Sequence, residues 1–189
     1  VSDVAVALAD RNGTNGLPTP AWTTGCPSRQ GVPMNEDQSE IASELRPGEV
    51  AIQLPAVADA GVYFIGTIHT PWHTRDECPK RGSADGPVCS IAVDERWREA
   101  LTDIARHRRI QVLYWMHRAR RDLVLQTPFR TGATTGTFAL RSPVRPNPIA
   151  SSMVELVAVE GTTVQVRGLD CLDGTPLVDL KPERTATDG

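Results

Sequence analysis

Two short segments hold the residues of this chain best suited to chemistry. The first is Arg141-Ser142-Pro143-Val144-Arg145-Pro146-Asn147-Pro148-Ile149, with three prolines in six residues. Each proline fixes φ near about −65° and keeps the residue before it out of the α region, so the segment is extended and stiff. The lost N–H groups argue against a central strand. A rigid track carrying Arg141 and Arg145 holds two guanidinium groups without ordering them at binding, which suits an anionic or planar ligand. A proline-rich corner at a barrel end is the alternative reading of the same residues.

The second segment runs from Asp170 to Pro182. Asp173-Gly174 is a turn signal, and Pro176 restricts the next residues to an extended path. Such a turn offers backbone N–H and C=O groups as an edge for a flat heterocycle, with Asp170, Asp173, Asp179 and Lys181 nearby in sequence. A tight hairpin with solvated acids fits equally well. A third feature, Tyr114-Trp115-Met116-His117-Arg118, ends a strand. Alternation sends Tyr114, Met116 and Arg118 to one face and Trp115 and His117 to the other. A lone histidine there is ordinarily a hydrogen-bonded structural residue.

Other chemistries are not supported. The chain has no G-x-G-x-x-G after a strand, no G-x-x-x-x-G-K-[ST] and no G-x-S-x-G, which disfavours a Rossmann half, a P-loop and a nucleophile elbow. Its four cysteines, Cys26, Cys78, Cys89 and Cys171, form no C-x-x-C pair, so they read as reduced thiols of a cytoplasmic protein. His69 and His73 are four apart with Pro71 between them. They cannot share a regular helix face, and no metal site is expected.

The 189 residues carry a formal charge of −3, yet residues 1–60 hold 3 basic and 8 acidic side chains, so the remainder is slightly basic. Eight arginines lie between Arg96 and Arg121 against Glu99 and Asp103. They read either as a solvated face or as a phosphate-facing patch. No window approaches the apolar length of a membrane span.

The elements that must position these residues are mainly strands. Residues 1–46 are punctuated by glycine and proline, with Trp22 as an anchor, and residues 1–60 are expected to form an irregular extension with a possible first strand. Residues 61–189 form the second unit. Short β-rich runs are expected at Glu49–Ala56, Val62–His69, Val88–Val93, Ile110–His117, Leu123–Gln126, Gly136–Leu140, Met153–Val159 and Thr163–Leu169, an antiparallel barrel. One helix capped by Asp94 is predicted from Trp97, Ala100, Leu101, Ile104 and Ala105 at helical spacing. The fold class is thus mainly β, an antiparallel β-barrel with one or two short helices.

The stretch Phe138–Ile149 and the later Leu172-Asp173-Gly174-Thr175-Pro176-Leu177-Val178-Asp179-Leu180-Lys181-Pro182 together resemble the YaeB/TsaA-like family of S-adenosylmethionine-dependent tRNA methyltransferases. Ile65-Gly66-Thr67-Ile68-His69-Thr70-Pro71-Trp72 and Met116-His117-Arg118 match the family's opening strand and its strand-end histidine. The resemblance implies a barrel of about seven strands, usually a homodimer, holding S-adenosyl-L-methionine near the subunit interface. Its best-known members N6-methylate threonylcarbamoyladenosine next to the tRNA anticodon. It places cofactor contacts at Lys80, Arg81 and Gly82, at His117 and Arg118, at Arg141, and at Asp173, Gly174, Thr175 and Pro176. Arg145, Asn147 and Lys181 fall to the substrate side or to the pocket's shape. No catalytic residue is assigned, although Asp173, Asp179 or His117 could take the N6 proton. Glu183 stands where the family has tyrosine. Methylation of a small molecule, or cofactor binding without catalysis, are the competing functions.

Overall fold

The computed structural model describes residues 45–129 and 131–184. Most of the expected N-terminal extension, including Trp22, therefore lies outside the described residues. Two sheets organise the rest. Six strands close an antiparallel barrel in the order β2 (Gly66–His69), β3 (Val88–Val93), β8 (Thr163–Arg167), β7 (Ile149–Glu160), β4 (Arg109–Trp115) and β9 (Thr175–Pro182). A small satellite sheet pairs β1 (Val50–Ala51) with β5 (Leu123–Gln126) and β5 with β6 (Thr135–Gly136).

Period-two alternation drives the closure. Ile68, Ile91, Ile110, Val112, Val154, Val164, Val166 and Leu177 are buried at alternate strand positions, so every strand contributes branched side chains to a single interior. Each fully buried one contributes about 1.5–3 kcal/mol. The glycine of the opening strand has a packing reason. Gly66 is buried against β3, where an added Cβ would lie 2.2 Å from the Ala92 carbonyl oxygen and 2.9 Å from Val93 Cα.

Three expectations change form. The Asp94–Ala105 helix is two 3₁₀ segments, Glu95–Leu101 and Ile104–Arg106, broken at Asp103 with φ 65°. Asp94 supplies no side-chain cap, and its N–H is tied to the Ile65 carbonyl at 2.9 Å. Trp97, Leu101 and Ile104 still face the core, so the apolar spacing reports burial and does not fix the helix type. Gly136–Leu140 holds only the end of β6 before a 3₁₀ turn at Thr137–Ala139. Beyond the Asp-Gly turn the chain forms a full barrel strand, β9, between β2 and β4. Its prolines stand at the second and last positions, where each removes at most one ladder donor.

Replacing Gly66 with alanine pushes backbone against backbone. Gly66→Ala should cost about 1–3 kcal/mol, read as a lower denaturant midpoint with unchanged slope and faster amide exchange in β2 and β3. Wild-type stability in that variant would show that β2 is free to shift.

Candidate functional site

The register gathers the ends of β2 and β4 and the starts of β7 and β9 on one rim of the barrel, whereas the end of β8, Arg167, pairs with Glu155 beside Arg109 at the start of β4. The end of β4 sits centrally. Trp115 pairs with Ile149, the first residue after the proline track, while Tyr114 pairs with Leu177, just past the Asp-Gly turn. The Met116 N–H donates to the Pro148 carbonyl at 2.8 Å. Both stiff corners therefore flank Met116, His117 and Arg118.

The Asp-Gly turn is held from inside. The Asp173 N–H donates to the Trp72 carbonyl at 2.7 Å and the Gly174 N–H to the Ile68 carbonyl at 2.9 Å, so these two donors serve the fold and are not an open edge for a ligand. Gly174 adopts φ 74°, the left-handed region that favours glycine. The Asp173 carboxylate faces two histidines, with His69 Nδ1 at 3.2 Å and His73 Nδ1 at 3.8 Å, and accepts the Thr70 N–H at 3.2 Å. Partial burial pushes its pKa up, but the Thr70 N–H and the two histidines outweigh that and leave it below the ordinary value. The sequence signal for this cluster is the His69/His73 spacing, which excludes a shared helix face but leaves room for a bend at Pro71 that turns both rings toward one carboxylate.

His117 lies beyond β4 with its N–H on the Trp115 carbonyl at 2.8 Å. Partial burial first, then the neighbouring Arg118 charge, lowers its pKa, so the imidazole is neutral at pH 7. In the proline track, Arg145 Nη2 donates to the Leu140 carbonyl at 2.6 Å and reaches the Thr137 carbonyl at 3.4 Å, which makes it a brace of the corner. Its Nε is buried and without an acceptor. The side chains of Arg118, Arg141 and Asn147 are exposed and make no hydrogen bond or ion pair among the described residues.

Other expected site residues stand apart. Lys181 is ion-paired to Asp179 and lies opposite Gln111, well down β4 from the rim. Gly82 packs on Gly168, with an added Cβ only 1.7 Å from the Gly168 carbonyl oxygen. It lines a separate cleft of about 600 Å³ with Arg108, Arg109, Met153 and Arg167, and Lys80 and Arg81 are exposed beside it in sequence. Glu183 bonds Arg109 at 2.9 Å at the far end of β4. Its departure from tyrosine does not touch the rim.

Beneath the rim is a polar group that sequence reasoning missed. Tyr114 Oη and Ser152 Oγ each donate to Asp170 Oδ1 at 2.7 Å. Burial, and then the Asp170 charge, raises the Tyr114 pKa far above the ordinary value. The three described cysteines are free, and burial pushes the Cys171 thiol up to about 12. None of this is legible without the β4–β7 register.

The family model described as the tRNA-methyltransferase O N-terminal domain matches residues 67–189. The chain belongs to the tRNA-methyltransferase O family. It is 47% identical over 144 residues to a probable S-adenosyl-L-methionine-binding protein, VirR, of Rhizobium radiobacter, covering 76% of this chain and 82% of that one. A tRNA (adenine(37)-N6)-methyltransferase of Mus musculus is 48% identical over 58 residues, 31% of this chain and 14% of that protein. Among solved structures, TrmO from Pseudomonas aeruginosa superposes with a TM-score of 0.57 at 26% identity, covering 69% of this chain and 58% of that one. The chain thus spans a little over half of that solved relative.

Relatives in this family are named for S-adenosyl-L-methionine binding and for tRNA methyl transfer. The rim fits that cofactor by its donor set. Two uncommitted guanidinium groups, Arg118 and Arg141, suit a carboxylate; Asp173 suits an ammonium or ribose diol; and a neutral His117 adds no further cation near a sulfonium.

The depressed pKa of His117 has a sign. Between its folded value and the ordinary value of about 6.5, the unfolded chain binds a proton that the folded chain does not, so stability falls as pH drops through that window. The lowered Asp173 pKa adds a further loss in the acid range. His117→Gln should flatten the first part of the slope in denaturation curves between about pH 7 and pH 5; an unaltered slope would assign it to another group.

Proposed function

We propose that this chain transfers the methyl group of S-adenosylmethionine to the N6 atom of an adenosine in tRNA, with threonylcarbamoyladenosine beside the anticodon as the substrate. The observation that carries the reading is the single rim on which the end of β4 lies between the proline track and the Asp-Gly turn. The tRNA methyltransferase relatives point to the same substrate class.

The demand on the protein is alignment. Displacement at a methyl already activated by a sulfonium needs nucleophile, methyl and sulfur in line. Arg118 and Arg141 hold the cofactor's carboxylate, and the corner braced by Arg145 fixes the angle of that grip. Of the groups that could take the N6 proton, His117 is the one whose lowered pKa favours the neutral, accepting imidazole. Asp173, already facing two histidines and the Thr70 N–H, is a positioning group for the turn and an acid for the cofactor. Lys80, Arg81 and Gly82 stand by the separate cleft and take no part in this grip.

The arginine cluster divides between two ends of the barrel. Arg96, Arg98, Arg106, Arg108 and Arg109 precede or begin β4, whereas Arg118, Arg120 and Arg121 come after it. Arg98, Arg106, Arg109 and Arg120 are ion-paired. Phosphate contact at the rim therefore rests on Arg118, Arg121 and Arg141. The protein acts in the cytoplasm as a homodimer built from residues 61–189. The outward face of β7 is the surface such a dimer would cover, since Ile149, Met153 and Val157 are 42%, 39% and 44% exposed there. Among the described residues no helix is long and apolar enough to cross a membrane.

Incubation with labelled cofactor and tRNA, with and without threonylcarbamoyl modification, should label only the modified tRNA. Label on neither, with turnover of a small acceptor, would replace the tRNA reading. Arg141→Ala should weaken cofactor binding severalfold or more in calorimetry with the circular dichroism spectrum unchanged; wild-type affinity would remove Arg141 from the site.

A further inference from the structure

On the outer wall beside this rim lies an aromatic and cationic stack that the methyl-transfer site does not use. Trp115 points outward from β4, opposite in direction to the buried Tyr114. Its ring meets Phe64 across β9, with centroids 6.2 Å apart and planes tilted by 56°. The guanidinium carbon of Arg121 stands 5.3 Å from the Trp115 ring centroid, and Arg121 Nε donates to the Pro146 carbonyl at 2.6 Å. Phe64 is 44% exposed and its neighbour Tyr63 82% exposed. None of these four side chains belongs to the buried core.

Arg121 is thus fixed twice, by the aromatic face and by the rigid proline track. One of its five N–H donors is spent on Pro146, which leaves the rest of the fork free and already ordered. A guanidinium held over an indole ring offers a planar surface to a base as well as donors to a phosphate. It lies four residues beyond His117 in the turn after β4. Arg118, three residues earlier after the same strand, is exposed, as is Arg141 at the head of the proline track to which Arg121 is bonded, so the charge beside the aromatic surface is complementary to a polyanion. A second copy of the chain meeting itself across this surface would bring those guanidinium groups against their own equivalents, which disfavours that occupant.

We infer that Phe64, Trp115 and Arg121, with Tyr63 at the edge, form a stacking platform for an unpaired nucleobase adjoining the methylated adenosine in an RNA loop. Sequence-tolerant recognition of unstacked bases uses this combination of aromatic faces and arginine planes. The inference rests on the tRNA reading above and deepens it. The platform holds the neighbour of the target, so that the target base is splayed toward His117 and the cofactor.

The test uses an anticodon stem-loop RNA carrying threonylcarbamoyladenosine, and the same stem-loop with an abasic site on either side of the modified nucleotide. Trp115→Ala and Arg121→Ala should each weaken binding of the intact stem-loop by roughly tenfold, with Trp115→Phe recovering most of it and S-adenosylmethionine affinity unchanged in all three. One of the abasic stem-loops should bind wild-type protein as weakly as the intact RNA binds Trp115→Ala, and should show no further loss in that variant. Variants that bind intact RNA like wild type overturn the platform while leaving methyl transfer standing. The same holds if Trp115→Ala changes the sedimentation coefficient instead of RNA affinity, because a protein partner then covers the stack. Wild-type protein that neither binds nor methylates the stem-loop removes both the platform and the tRNA reading.

Discussion

The two hydrogen-bonded ladders of β4, to β7 on one side and to β9 on the other, are the constraint on which the rim depends. They close the barrel, and their register decides which loop residues come face to face. A slip of one residue in either ladder would turn Tyr114 outward and Trp115 inward. The polar group of Tyr114, Ser152 and Asp170 would be broken, and the stack on Arg121 would be lost with it. The ladder to β9 already contains an irregularity between Leu113 and Tyr114. One strand residue is absorbed there, so that Leu177 faces Tyr114 and the Asp-Gly turn reaches the end of β4.

Polar groups at the rim fall into two kinds, and the division organises the chemistry. Asp173, Arg145 and the N–H groups of the turn are committed to internal partners. They set shape, because a rim built from loops needs its buried donors and acceptors paired. Arg118, Arg141 and Asn147 are uncommitted, and Arg121 is only partly so. A ligand meets those groups without breaking internal bonds, and the committed ones hold them in place. Arg145 belongs to both kinds, since it braces two carbonyls while its Nε remains without an acceptor.

Much of the fold was legible because it rests on local alternation. Val88–Val93 and Leu123–Gln126 are strands with the boundaries that period-two patterning assigns. The Asp94–Ala105 segment shows the limit. Its apolar spacing correctly marked a face toward the core, yet the segment is two 3₁₀ pieces broken at Asp103, and its start is tied to Ile65, distant in sequence. β9 was hidden because its prolines and its turn dominate the local signal, while the strand itself depends on two partners supplied from elsewhere. The stiffness of the proline track was readable from its composition. Its role as a brace, with Arg145 turned back on Leu140, was not, because side-chain direction there depends on the 3₁₀ turn at Thr137–Ala139.

The same distinction bears on how a long sequence motif should be converted into a site. The run from Leu172 to Pro182 is continuous in sequence, but β9 carries it from the rim to the opposite end of the barrel. Asp173 and Gly174 lie at the rim beside the end of β4. Asp179 and Lys181 pair with each other farther down the strand, and Glu183 closes the far end against Arg109. Similarity over the whole run therefore combines a chemical constraint at one end with a closure constraint at the other. A substitution at Glu183 is evidence about how the barrel is sealed, whereas a substitution at Asp173 bears on how the turn is held at the rim. Position along the strand, rather than membership of the motif, decides which of the two a residue serves.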